Sequence, residues 1–269
     1  MSKIFLVAWI TFKDSIRNKV LYGIFALGLA LFTANIIITG MFSWELGKVA
    51  VDVGLSAVSL SGLLIIFFFS IHMVSNDFEK KTVYLVLSRP ITKPEYLLGK
   101  YAGLGMIVLL SSLILGICSF FSVKLAVMGV EAYIPTGFSW SVFFLGLAFL
   151  TLSLLVLMSI AFFCITVTTH PFTAVLLCLI SYFIGQNIEN VTTILSKNKM
   201  FKDNAALAGL LDVVSWIFPN LAAFDLKTTA AYGLCVDTVY LLKTAVYGIS
   251  YIGVCLVITI LIFQKRELG

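Results

Sequence analysis

Residues 54–100 read GLSAVSLSGLLIIFFFSIHMV (54–74) followed by SNDFEKKTVYLVLSRPITKPEYLLGK (75–100). The first part holds no Asp, Glu, Lys or Arg; His72 is its one titratable side chain. A helix rises about 1.5 Å per residue, so a run of this length crosses the roughly 30 Å of hydrocarbon in a bilayer. The second part turns abruptly polar and gathers Lys80, Lys81, Arg89, Lys93 and Lys100. A surface helix of a soluble domain keeps one polar face. This run keeps none, so it reads as a membrane span. Its basic flank reads as cytoplasmic, because Lys and Arg beside spans are retained on that side.

The rest of the 269-residue chain agrees. It is 61% hydrophobic and 12% charged, with 23 Phe, whereas a soluble domain is typically about 45–50% apolar and about 25% charged. One aqueous core of this size could not hide so much apolar surface. Six stretches are long and apolar enough to span: residues 20–39, 54–74, 101–123, 141–169, 171–188 and 244–263. Lys3, Lys13, Arg17 and Lys19 precede the first, and Lys265 and Arg266 follow the sixth. The connections after the first and third spans hold only Lys48 and Lys124. The expected fold is therefore an all-α membrane protein with both termini cytoplasmic. The net charge of +5 lies beside spans rather than on one polar domain, which argues against a nucleic-acid partner.

Residues 1–19 read as an amphipathic helix lying in the membrane interface. Phe5, Trp9, Phe12 and Ile16 recur at helical spacing, with Lys3, Lys13, Asp14 and Arg17 on the other side. A signal peptide is the competing reading, but Lys13 breaks the run and no small-residue cleavage pattern follows. The connection 189–243 contains an apolar stretch, 205–224, carrying Asp212, Trp216 and Pro219. It is interrupted too soon to span, and a seventh span would carry Lys265 and Arg266 outside. It is read as an extracellular re-entrant or interfacial helical segment.

Signals for catalysis are sparse. Cys118, Cys164, Cys178, Cys235 and Cys255 form no C-x-x-C pair and read as small core or lipid-facing residues. His72 and His170 sit at span ends, where an interface role outweighs a proton relay. Gly47-Lys48 and Gly99-Lys100 lack the rest of a phosphate-binding loop. Inside the spans only Asn35, Gln186 and Asn187 join the Ser and Thr residues, which gives an ion-coupled mechanism little to work with. A membrane-embedded enzyme would need polar groups converging at one depth, which the pattern does not suggest. Energy is expected from outside the chain. A stand-alone secondary transporter or membrane assembly scaffold is the alternative. Gly99, Gly103 and Gly105 open the third span, and the Gly99–Gly103 spacing suits close helix packing within the chain.

The stretch 75–100 is too long for a tight turn, and Pro90 and Pro94 punctuate it. A helix is expected to stop before Pro90 and another to start near Pro94 and run into the third span. Phe78, Val83, Leu85, Val86 and Leu87, with Glu79, Lys80 and Lys81 among them, would form a short amphipathic element. Apolar surface of that kind usually has a partner.

The same stretch resembles the cytoplasmic loop of ABC-2 type transporter permeases. In that family the loop runs as Glu, a few residues, Gly-Thr, then Leu-Leu-Ser-x-Pro-Ile, a basic residue and Leu-Leu-Gly-Lys. Here Glu79 and Thr82 match, as do Leu87-Ser88-Arg89-Pro90-Ile91, Lys93 and Leu97-Leu98-Gly99-Lys100. Lys81 stands where the family often has Gly. The N-terminal helix is similar to the family's interfacial connecting helix, and the ending Phe263–Leu268 to its usual close.

The resemblance implies a permease subunit of an ABC transporter in the inner or plasma membrane, an exporter by likeness. It implies no catalysis and no cofactor in this chain. Two ATPase chains would supply ATP and Mg chemistry, and a second permease subunit would complete the pathway. Glu79, Thr82, Ser88, Arg89, Pro90, Lys93, Gly99 and Lys100 would couple to the ATPase. Trp9, Phe12, Lys13, Asp14 and Arg17 would belong to the interfacial helix.

Overall fold

In hydrocarbon each backbone N–H and C=O must find its partner inside the protein, so apolar spans are driven into helices. The computed structural model describes residues 3–41, 46–79, 91–127, 139–168, 170–197, 213–234 and 236–265. Its elements are α1 (Lys3–Ile16), α2 (Lys19–Met41), α3 (Leu46–Leu64), a π-helical stretch (Ile65–Ser70) and α4 (Ile71–Glu79). Then come α5 (Lys93–Val127), α6 (Trp140–Val167), α7 (Pro171–Lys197), a 3-10 turn (Ala222–Phe224), α8 (Lys227–Tyr232) and α9 (Thr238–Lys265).

Six helical segments are long and apolar enough to cross a membrane: Lys19–Ile37, Gly47–Asp77, Lys93–Leu125, Trp140–Val167, Pro171–Thr193 and Thr238–Lys265. The chain is an all-helical membrane protein with six transmembrane helices. Several helices run past the apolar windows, since the hydrogen-bond ladder continues where side chains turn polar. Thus α3 begins at Leu46, ahead of Asp52, and α5 begins at Lys93.

The fourth span, α6, is the central column, 72% buried in its apolar window against 22% for the first span and 22% for the sixth. Phe143, Leu150, Leu154, Leu157, Ala161 and Ile165 lie along it out of contact with the surroundings. α2, α7 and α9 therefore present most of their surface outward from the bundle. A buried amide ties the outer helices inward. Asn35 on α2 donates from Nδ2 to Ala50 O on α3 (3.2 Å) and to Ser122 Oγ on α5 (3.2 Å), the interhelical polar contact typical of membrane bundles. His72 and His170 are both exposed. Cys164 and Cys178 are buried free thiols, Cys118 and Cys255 half-buried ones; Cys235 lies outside the described residues.

The second span is not a plain α-helix. Through Ile65–Ser70 it widens to a π-helix, and the Ile71 N–H reaches back five residues to Ile66 O. Thr151, Ser181 and Thr259, in α-helical stretches, each donate to the carbonyl four residues back. Among the described residues the buried hydroxyls of Ser61 on α3, Ser70 in the π-helix and Ser119 on α5 have no hydrogen-bond partner.

Of the apolar stretch 205–224, residues 213–224 are described. They pack against the fifth and sixth spans. Leu221 N–H donates to Gly185 O (3.0 Å), and a Cβ on Gly185 would meet Pro219 O at 2.6 Å, so glycine permits that approach. Tyr251 Oη, well along α9, donates to Ile217 O (3.0 Å), and Tyr240 Oη donates to Ala223 O (2.8 Å). Residues 217–223 thus pack against both α7 and α9. Lys48, at the start of α3, sits over the Tyr232 ring (4.7 Å) at the end of α8.

Candidate coupling site

The structure brings together the helix ends that flank the 80–90 connection. α5 opens with Thr92-Lys93-Pro94-Glu95, a capping box. Thr92 N–H donates to Glu95 Oε2 (2.7 Å) and Glu95 N–H to Thr92 Oγ1 (3.4 Å). Two amides that a helix start leaves orphaned are thereby satisfied. Pro94 has no N–H to orphan, so it fits this first turn. Lys93 then reaches across to the end of the sixth span. Its Nζ donates to Gln264 O (3.2 Å) and lies over the Phe263 ring (5.9 Å). A cation there meets the negative pole of α9.

One turn further, α5 closes on α4. Asp77 Oδ2 accepts from Tyr96 Oη (2.8 Å) and pairs with Lys100 Nζ (2.5 Å). The Lys100 side chain is 12% exposed and that of Asp77 23%, so water screens this pair less than it would one on an open surface. Both strands of chain leaving the 80–90 connection are thus joined at its base.

α1 lies on the same assembly. Gly99 and Gly103 on α5 form its seat. A Cβ on Gly99 would meet Val7 Cβ at 2.6 Å, and one on Gly103 would meet Ala8 O at 2.7 Å. Val7, Ala8, Thr11 and Ser15 form the buried face of α1, and Ser15 Oγ also approaches Met73 Sδ on α4 (3.4 Å). The glycine pair is thus used for intrachain packing. The sequence singles out a different stripe of α1. Phe5 and Trp9 are 46% and 53% exposed, with Phe12 and Ile16 at the flank. The rings of Trp9 and Phe5 stack with centroids 6.5 Å apart, and those of Trp9 and Phe12 at 5.8 Å. Close backbone approach favours the small-residue stripe for packing and turns the aromatic one outward. Lys13, Asp14 and Arg17 are exposed.

Of the residues expected to couple, Lys93, Gly99 and Lys100 take part in this convergence. Glu79 is the last residue of α4, and Thr82, Ser88, Arg89 and Pro90 lie outside the described residues. Asp77, Tyr96 and Glu95 are participants the sequence reading misses. The T-x-x-E spacing of Thr92 and Glu95 is a capping signal in plain view. Asp77 and Tyr96 carry no such signal, since only the folded pairing of α4 with α5 joins them.

Comparison with known proteins settles the class. The family model described as ABC-2 family transporter protein matches residues 5–268. The chain belongs to the ABC-2 family. No curated protein matches it. The resemblance carried by residues 75–100 thus extends over the whole permease, which is the non-catalytic membrane component of an ABC transporter. In this ABC-2 permease Leu97-Leu98-Gly99-Lys100, the stretch that closes the expected loop motif, is the helical turn that seats α1 and pairs with Asp77.

Proposed function

We propose that this chain is the membrane half of an ATP-driven exporter. A separate ATPase grips its 75–100 stretch in the cytoplasm. Family membership supports the ATPase, and the carrying observation is the convergence of α1, α4, α5 and α9 at the base of that stretch. A force on the 80–90 connection would reach the N-terminal helix and the second, third and sixth spans together. Glu79 and Arg89 would contact the ATPase, within an interface burying about 1,200–2,000 Å² in total. ATP and Mg would be bound by two copies of that partner. The outward aromatic stripe of α1 would lie in the membrane interface, with Lys13 and Arg17 toward the headgroups.

A second permease subunit would complete the pathway. The cavity among Ser59, Ser153, Tyr182, Gln186 and Asp225 measures ≈ 20 Å³, room for a water, and the larger recesses, ≈ 410 Å³ beside Leu113 and Phe144 and ≈ 310 Å³ beside Trp216 and Val254, are lined by exposed side chains at the outer surface. Charge supports a cytoplasmic placement of the loop end. Lys48, Lys124, Lys197, Lys199, Lys202, Lys227 and Lys243 belong to the other end, leaving the greater part of the 18 Lys and Arg on the loop side.

Purification in mild detergent from the native membrane tests this reading. The expected result is a stoichiometric ATPase carrying a phosphate-binding loop. Its consistent absence would favour a stand-alone transporter or scaffold.

A further inference from the structure

We infer that Ile71–Glu79 is a lever: Asp77 fixes it to α5, the π-helical stretch Ile65–Ser70 is its pivot, and Asp77 is a positioning residue for coupling. The inference rests on the ATP-driven reading above.

Three observations carry it. First, Asp77 accepts from Tyr96 Oη and pairs with Lys100 Nζ, so one carboxylate holds both helix ends that flank the 80–90 connection. Tyr96 is itself 3% exposed, which fixes its hydroxyl in place. A push on the connection therefore cannot be absorbed by α4 and α5 splaying apart. It must move α4 with α5 as one piece.

Second, the second span is interrupted just above that piece. A π-helical turn has one more residue than the α-helix around it, and such turns are frequent at functional sites. Its flanks keep the register of a shorter α-helix, so the turn can shift without unwinding either side. The lower segment can tilt while α3 stays anchored by Ala50, which accepts from Asn35.

Third, the pivot has a second backbone pairing open to it. The Ile71 N–H donates to Ile66 O, five residues back. If the turn relaxes to α geometry, Ile66 O accepts instead from the Ser70 N–H, four residues on. That exchange gives the stretch two hydrogen-bonded arrangements, as a two-state element needs.

The test uses the full permease–ATPase complex in lipid nanodiscs. Spin labels replace Leu60 and His72, exposed positions above and below the stretch. In the otherwise unaltered complex the label distance should differ between the nucleotide-free and the ATP–vanadate-trapped states. Asp77→Asn leaves Lys100 without its carboxylate, so it should still assemble with the ATPase but at a lower thermal midpoint. It should abolish the distance change and lower permease-stimulated ATP turnover about tenfold. The exchanged pair Asp77→Lys with Lys100→Asp should recover much of both. Deleting Phe68, 61% exposed within the turn, regularises the helix and should abolish the distance change with the Asp77 contacts intact. A label distance that ignores nucleotide overturns the lever, as does an Asp77→Asn complex that couples normally or a Phe68 deletion that keeps the distance change. Absence of any ATPase partner would overturn the functional reading itself, and the lever with it.

Discussion

Replacing Gly103 with alanine should detach α1 from the bundle. The added Cβ would stand 2.7 Å from Ala8 O and 2.7 Å from Thr11 Cβ. Backbone cannot swing aside as a long side chain can, so α1 must lift as a unit. Overpacking of this kind costs about 1–3 kcal/mol, and each 1.4 kcal/mol is about tenfold in population. Opening of α1 exposes the chain around Lys13 and Arg17 to protease. Trypsin cleavage there should rise about tenfold or more in inverted vesicles. Gly99→Ala, which meets Val7 Cβ at 2.6 Å and Ile4 O at 3.0 Å, should act the same way, and the double variant more strongly. Gly23→Ala is the control, because nothing lies within 4 Å of its Cβ position. Equal cleavage in Gly103→Ala and Gly23→Ala would show that α1 does not depend on this seat.

The second large effect is expected at the connection itself. Glu79 ends α4, and Arg89 lies in the loop motif. Neither belongs to a span, so reversing their charges leaves the bundle's apolar packing untouched. Glu79→Lys and Arg89→Glu should each place like charges across the ATPase contact, where such juxtaposition costs several kcal/mol. Permease-stimulated ATP turnover should fall about tenfold or more, while the thermal midpoint of the isolated permease stays within a few degrees. Full coupling in both variants would remove these residues from the contact.

What the sequence makes legible here follows from the solvent. Hydrocarbon tolerates no charged or broken stretch, so the six spans announce themselves in any apolar window. Their ends do not. Lys93 and Asp77 fall outside the apolar windows, yet each sits in a helix that continues from a span, because backbone bonds need no apolar side chains; only the proline positions hint at it. The stripe on α1 is ambiguous for another reason. Phe5, Trp9, Phe12 and Ile16 share one helical period and Val7, Ala8, Thr11 and Ser15 another. Which stripe packs depends on what faces it, and Gly99 and Gly103 are far off in sequence. The glycine spacing hints at close packing but does not name the partner.

The coupling site divides in the same way. Lys93, Gly99 and Lys100 are legible through the family motif. Thr92 and Glu95 are legible through cap spacing. Asp77 and Tyr96 become visible only when α4 and α5 lie side by side. The π-helical stretch is hidden as well, because IIFFFS has no feature that sets it apart from an apolar α-helix. The packing of 213–224 on the bundle depends on Gly185, Tyr240 and Tyr251, none of them adjacent to it in sequence.

The central claim is that a separate motor holds the 80–90 connection from the cytoplasm. A photo-crosslinking amino acid in place of Tyr84, activated in intact cells, tests it most directly. The account predicts an adduct with an ATPase chain whose yield changes when nucleotide is trapped with vanadate. Labelling of the same position by a membrane-impermeant reagent added outside the cell, with no ATPase adduct, would contradict it.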